Sequence, residues 1–128
     1  MVLVYAKPIF MNFRNALFLI TLFASVITSA RLFAGDITPG DAKWHDGEVV
    51  TVKGKVLEFR EFSGEAFLDM GQRHPKETFT IFCAPQTKIS RKVLSRFEGK
   101  TISVTGKINV YKGRPEIILT SLDQISRK

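Results

Sequence analysis

Two hydrophobic patterns divide the chain. Residues 16–27 read ALFLITLFASVI, a predominantly apolar run with no periodicity. From Glu48 onward, apolar and polar side chains alternate. Val50, Val52 and Val56 are interleaved with Thr51, Lys53 and Lys55, the period of a half-buried strand. Gly54 falls inside that run. A glycine within a strand marks a bend or bulge, so Leu57 and Phe59 are expected to continue the strand after a register shift there. Phe62-Ser63-Gly64 then reads as a turn. A second strand is predicted over residues 66–70 and a third over 78–84, separated by the polar loop GQRHPK. In residues 89–97, Ile89, Val93, Leu94 and Phe97 recur at helical spacing, with Arg91, Lys92 and Arg96 on the remaining face and Gly99 as a stop signal. A fourth strand spans 101–111 and contains Gly106. Lys112-Gly113 is a tight hairpin connection, and a fifth strand covers 115–122. Residues 35–47 are rich in Gly, Asp and Pro and read as a loop, with a short helical turn near residues 41–44 and Trp44 capping one end of the core.

The apolar run changes how the rest is counted. It follows Arg14 and is shorter than the ~20 residues of a spanning helix. Its length is that of the hydrophobic region of an export signal. Thr28-Ser29-Ala30 and Leu32-Phe33-Ala34 each end in Ala, which suits cleavage. The reading favours cleavage after Ala34, because Gly35-Asp36 opens a polar stretch. Met11 offers a compact start for the same signal. A retained anchor is the alternative to cleavage; once cleaved, the chain carries no stable membrane span. The expected organisation is a signal peptide at 1–34, a loop segment at 35–46, a domain at 47–125 and a tail at 126–128. The localisation that follows is periplasmic or secreted.

With residues 1–34 set aside, 16 basic residues stand against 12 acidic ones. The net charge is then +4, rather than the +7 of the 128-residue chain. A field of that size is compatible with a polyanionic partner and equally with solubility alone. Five of the 11 phenylalanines lie before residue 35. Phe59, Phe62, Phe67, Phe79, Phe82 and Phe97 remain for the domain. Cys83, the single cysteine, sits in the apolar run Thr80-Ile81-Phe82-Cys83-Ala84 and is expected to be buried.

Three strands, a helix and two strands form an all-β order that manages its edges by closing into a barrel. Four segments carry a family likeness: Val-Lys-Gly-Lys-Val from Val52, Ala-Phe-Leu-Asp-Met-Gly from Ala66, Phe-Glu-Gly-Lys-Thr-Ile-Ser-Val-Thr-Gly-Lys-Ile from Phe97, and Tyr-Lys-Gly-Arg-Pro-Glu-Ile-Ile-Leu from Tyr111. In these segments the chain resembles the OB-fold nucleic-acid-binding superfamily, and within it the tRNA-anti type of module. The resemblance implies a five-stranded OB-type Greek-key barrel, with one α-helix between strands 3 and 4, behind the signal peptide. It also implies a ligand face across strands 2 and 3, flanked by the 1–2 and 4–5 loops. By position that face takes in Arg60, Phe62, Phe67, Phe82, Tyr111, Lys112 and Arg114. Aromatic rings there stack on bases and cations follow phosphates. Alternation leaves open whether Phe67 and Phe82 point to this face or into the core.

Catalytic chemistry finds no such constellation in the sequence. His45 and His74 each stand without clustered ligands, where a metal site needs several that converge. No nucleophile motif or Gly-rich phosphate loop occurs, and no cofactor or metal is implied. The chain therefore reads as a binding protein rather than an enzyme. The expected partner is single-stranded DNA or RNA, or a similar extended polyanion. The alternative is an envelope protein, a peptide or a glycan, held by the same face without nucleic acid.

Overall fold

The alternation that starts at Glu48 builds one strand of 14 residues, and the rest of the fold is arranged along it. The computed structural model describes residues 35–127. The expected export segment at 1–34, its start at Met11 and its cleavage sites lie outside the described residues. In chain order the elements are β1 (Asp36–Ile37), a 3-10 turn (Pro39–Trp44), β2 (Val49–Phe62), β3 (Glu65–Met70), β4 (Phe79–Cys83), α1 (Arg91–Ser95), β5 (Thr101–Tyr111), β6 (Arg114–Ile118), a second 3-10 turn (Leu122–Gln124) and β7 (Ile125–Arg127). No helix among the described residues is long and apolar enough to cross a membrane.

The first half of β2 pairs antiparallel with β5, from Val49 opposite Lys107 to Lys55 opposite Thr101. The second half pairs with β3, from Val56 opposite Met70 to Phe62 opposite Glu65. Just after the first pair of this second ladder, the register shifts at Leu57. An extra residue of this kind bends a strand and reverses which positions face inward. Val50, Val52 and Val56 are buried before the shift, and Phe59 packs on the core after it. The shift was expected at Gly54, and that expectation is corrected. Gly54 makes room instead: a Cβ there would stand 2.7 Å from Pro39 Cγ and 3.1 Å from Met70 Sδ. Gly106 does the same, with Ile117 Cγ2 at 2.6 Å from a Cβ.

β3 pairs with β4, β4 runs parallel to β6, and β6 pairs with β5. Because β2 bonds both β3 and β5, each of these five strands is paired on both sides. The sheet has seven strands, not the expected five. β1 arises in the segment read as a loop, where Asp36 and Ile37 lie parallel to Thr51 and Val52. β7 extends into the expected tail, where Ser126 and Arg127 pair with Ser103 and Ile102. Strands of two or three residues are too short to show a period of two. Their backbone groups are satisfied by β2 and β5, along the edges that these strands leave open.

Leu68, Met70, Phe79, Ile81, Ile102, Val104, Ile108 and Ile117 fill the interior, with Cys83 buried among them. The fifth strand ends at Ile118, short of the expected 122, but Leu119 is still buried and its N–H donates to the Phe82 carbonyl. The helix is shorter than residues 89–97 suggested. Ser90 caps it, and Leu94 and Phe97 seal the core from a single turn and its continuation. Arg91 leaves the solvent face assigned to it. Its guanidinium donates to the carbonyls of Gly64, Ala84 and Ile89 and ties the β2–β3 turn to the segment before the helix. Trp44 does not cap the core. It is 74% exposed, with the Lys43 ammonium 4.9 Å from its ring, while Ala42 takes the buried position of the 3-10 turn. The turn expected at Phe62-Ser63-Gly64 and the hairpin expected at Lys112-Gly113 both form, each as a two-residue connection between antiparallel strands. Ser63-Gly64 and Lys112-Gly113 each adopt two successive positive φ angles, the geometry of a two-residue turn whose twist matches the strands.

Candidate functional site

Strand alternation settles the orientation of the two phenylalanines. On β3, Ala66, Leu68 and Met70 point inward, so Phe67 and Asp69 point out. On β4, Phe79, Ile81 and Cys83 are buried, and Phe82 shares the outer face with Thr80. The register then aligns Arg60, Phe67, Phe82 and Ile118 in one row across β2, β3, β4 and β6. The Phe67 and Phe82 rings lie 5.4 Å apart at a tilt of 52°. The Arg60 guanidinium carbon sits 4.5 Å from the Phe67 centroid, within cation–π range. Phe62 stands at the end of β2, 71% exposed, and Ile118 is 46% exposed at the far end of the row.

Beside this row an open groove of about 400 Å³ runs toward the β5–β6 hairpin. Of the predicted residues, Arg60, Phe67, Tyr111, Lys112 and Arg114 line it; Phe62 and Phe82 do not. Those two belong to the same outer face without reaching the groove. Five further residues complete the walls: His74, Glu77, Thr80, Pro115 and Glu116. Thr80 and Glu116 were accessible to a strict period-two count, since they face each other across β4 and β6. His74 and Glu77 come from the loop before β4, where periodicity carries no signal. The ring of His74, which the sequence showed without clustered ligands, has Nδ1 3.4 Å from Glu77 Oε1.

The charges of the groove are largely matched. Arg60 Nε donates to Asp69 Oδ2 at 2.6 Å, and Thr80 Oγ1 donates to Asp69 Oδ1 at 3.0 Å. Asp69 is fully buried, so Arg60 and Thr80 compensate a desolvated carboxylate. Burial acts to lower the Arg60 pKa, but the hydrogen bond and charge of Asp69 outweigh it, and the net direction is up. Arg114 Nη1 donates to Glu77 Oε1 at 2.5 Å. The Glu77 side chain is only 8% exposed. Burial acts to raise its pKa, yet its own backbone N–H, Arg114 and His74 together hold it below the usual carboxylate value. Its second oxygen, Oε2, is buried without a hydrogen bond; His74 Nδ1 approaches to 3.3 Å outside bonding geometry. Glu116 goes the other way, pushed up by burial against a weaker opposing bond from Asn109. Lys112, with Nζ 5.3 Å from the Tyr111 centroid, has no ion pair among the described residues. Among the described residues, no cluster of three or more His, Cys, Asp or Glu side chains is placed to hold a metal. The arrangement offers aromatic faces, hydrogen-bond acceptors and one unmatched cation.

No family model and no curated protein matches the chain. Solved structures do. The chain is similar to a putative aspartyl-tRNA synthetase from Leishmania major Friedlin, with a TM-score of 0.50 and 10% identity over 71% of this chain and 20% of that one. It is also similar to asparaginyl-tRNA synthetase from Pyrococcus horikoshii, with a TM-score of 0.50 and 13% identity over 70% of this chain and 22% of that one. A further match is the S. pombe Stn1-ten1 complex, with a TM-score of 0.45 and 20% identity over 57% of this chain and 54% of the other. The chain thus spans about a fifth of the synthetases it matches. The likeness is one of fold, and it agrees with the OB-type resemblance of the sequence.

Proposed function

We propose that this chain is a binding module for single-stranded nucleic acid, held across the outer face of β3 and β4 with the β5–β6 hairpin as one wall. The supporting observation is the aligned row of Arg60, Phe67 and Phe82, with Tyr111 and Lys112 beside it. The names of the two synthetases that share the fold refer to tRNA, which favours nucleic acid as the ligand class. In this reading the five mutually paired strands act as the barrel expected of an OB fold, and the module binds without catalysing. Residues 1–34 then serve as an export leader, removed after Ala34, and the module works in the periplasm or outside the cell.

Matched charges in the groove make stacking the main source of affinity. Base–aromatic stacking contributes about 1–3 kcal/mol per base. Phe67→Ala, Phe82→Ala and Tyr111→Ala are therefore each expected to weaken binding of a labelled oligonucleotide about 5- to 150-fold. Fluorescence anisotropy at about 50 and 200 mM salt measures this. Absence of any binding at the lower salt refutes the proposal.

A second reading rests on Phe62 and Ile118, which leave apolar surface exposed at both ends of the row. They suit an envelope protein, a peptide or a glycan. In that case Phe62→Ala abolishes capture of one reproducible partner, and that partner binds the purified protein directly while oligonucleotides do not.

A further inference from the structure

The four ion pairs among the described residues involve His45, Arg60, His74 and Arg114. Three of the four are on the groove side. The cations away from the groove show a different pattern. Lys53 and Lys55 lie two residues apart on the outward face of β2, about 7 Å along the strand. Lys55 faces Thr101, which follows Lys100; the Lys100 carbonyl accepts the Val56 N–H at 2.9 Å. Lys92 and Arg96 are about one turn apart on α1 and its C-cap; α1 contacts β2, and the Gly99 N–H that follows it donates to the Val56 carbonyl. Arg127, paired with Ile102, places its guanidinium 5.1 Å from the Phe97 ring. Among the described residues none of these six has an ion pair.

Glu98 accepts the Phe59 N–H at 2.8 Å, Asp36 lies opposite Thr51 on the edge strand, and neither forms an ion pair among the described residues. No aromatic side chain lies on the segment where β2 and β5 pair, from Val49 opposite Lys107 to Lys55 opposite Thr101. It presents Thr51 and Thr105, bonded through their hydroxyls at 2.7 Å, with the lysines, while Ser103 opposite Lys53 is buried. Its one exposed large apolar residue is Val49. Such a surface attracts an anionic polymer and lacks the means to stack on bases or to insert into lipid.

We propose that the outward face of the paired segments of β2 and β5, residues 49–55 and 101–107, with the adjoining end of α1, is a second nucleic-acid contact that holds the phosphate backbone without reading bases. It shares its ligand class with the proposal above but none of its residues. The single-strand face supplies stacking, and this face supplies the unmatched charge that the groove lacks.

A DNA duplex separates the two, because its bases are not available to stack in the groove. Binding of a labelled duplex of about 20 base pairs is followed against salt. Each lost phosphate contact lowers the slope of log K against log salt by about 0.9. The variant Lys53→Gln/Lys55→Gln/Lys100→Gln is expected to lower that slope by about 2–3 and to weaken duplex binding at least about tenfold at 50 mM salt. Phe67→Ala/Tyr111→Ala is expected to leave duplex binding unchanged, whatever it does to single strands. The substituted lysines are exposed, and an unchanged melting temperature verifies the fold. Duplex affinity unaltered by the lysine variant overturns the inference. So does absence of duplex binding at 50 mM salt, or lysine-dependent binding confined to heparin or to vesicles of anionic lipid. If only the single-strand effects of Phe67 and Tyr111 are missing, the groove proposal fails and this one stands.

Discussion

Two glutamates in the groove respond oppositely to similar surroundings. Glu77 is buried but well supplied with donors, so its folded pKa is lowered. The stability it contributes is complete above the ordinary carboxylate value and is lost as pH falls through the lowered one. Glu116 is half-buried with one donor, so its folded pKa is raised. Its contribution is complete below the ordinary value and is lost as pH rises through the raised one. Thermal melts across the acidic range are expected to separate them. Glu77→Gln should flatten the loss of stability in acid. Glu116→Gln should melt above wild type at neutral pH and converge with it in acid. Glu77 was not legible as part of a site. Glu77 acquires its role from Arg114, 37 residues away, and no local pattern reports a partner at that separation. Phe67 and Phe82 were legible as candidates. Their direction was not, because it depends on which face of β3 and β4 the core covers.

At the scale of elements, buried Asp69 ties three strands together through Arg60 on β2 and Thr80 on β4. Asp69→Ala leaves a partly desolvated guanidinium and an unpaired hydroxyl. The expected loss is on the order of 2–4 kcal/mol in urea unfolding, with part of it recovered in Asp69→Leu/Arg60→Met. The two strand glycines make a separate prediction. Gly54→Ala and Gly106→Ala each force a Cβ against packed neighbours and should cost about 1–3 kcal/mol. Gly35→Ala, with nothing within 4 Å, should be close to neutral. Both strand glycines stood out in the sequence as interruptions of period two. Their reason lay elsewhere, since Pro39 and Ile117 close on them from other elements. The bulge at Leu57 had no glycine to announce it.

For the whole molecule, the arrangement of charge matters more than its sum. The +4 left after residue 34 is divided between a groove of matched pairs and a lysine-bearing face without them. If both faces hold one strand, oligonucleotide length decides which substitutions matter. For an oligonucleotide of about 5 nucleotides, the low end of an OB site, Phe67→Ala should weaken binding and Lys53→Gln/Lys55→Gln/Lys100→Gln should not. With about 30 nucleotides, well beyond one OB site, both should weaken it. Residues on separate faces share no contact, so their free-energy effects should then add within about 0.5 kcal/mol.

Period-two alternation, helical spacing and turn residues act over a few positions. They were enough, by themselves, to determine the all-β order, the turn at Phe62-Ser63-Gly64, the Lys112-Gly113 hairpin, the buried Cys83 and the location of the helix. These features follow from which side chains leave water and which backbone angles the turn residues allow. Partnership between distant positions belonged to the tertiary structure alone. It decided that β2 serves two neighbours, that β1 and β7 complete the sheet, that Trp44 stays in solvent and that Arg91 turns inward. It also decided that Arg60 and Arg114 meet carboxylates while the lysines of β2 do not. A local pattern reports which side chains tend to leave water; only the folded chain determines which of them do and what they are buried against.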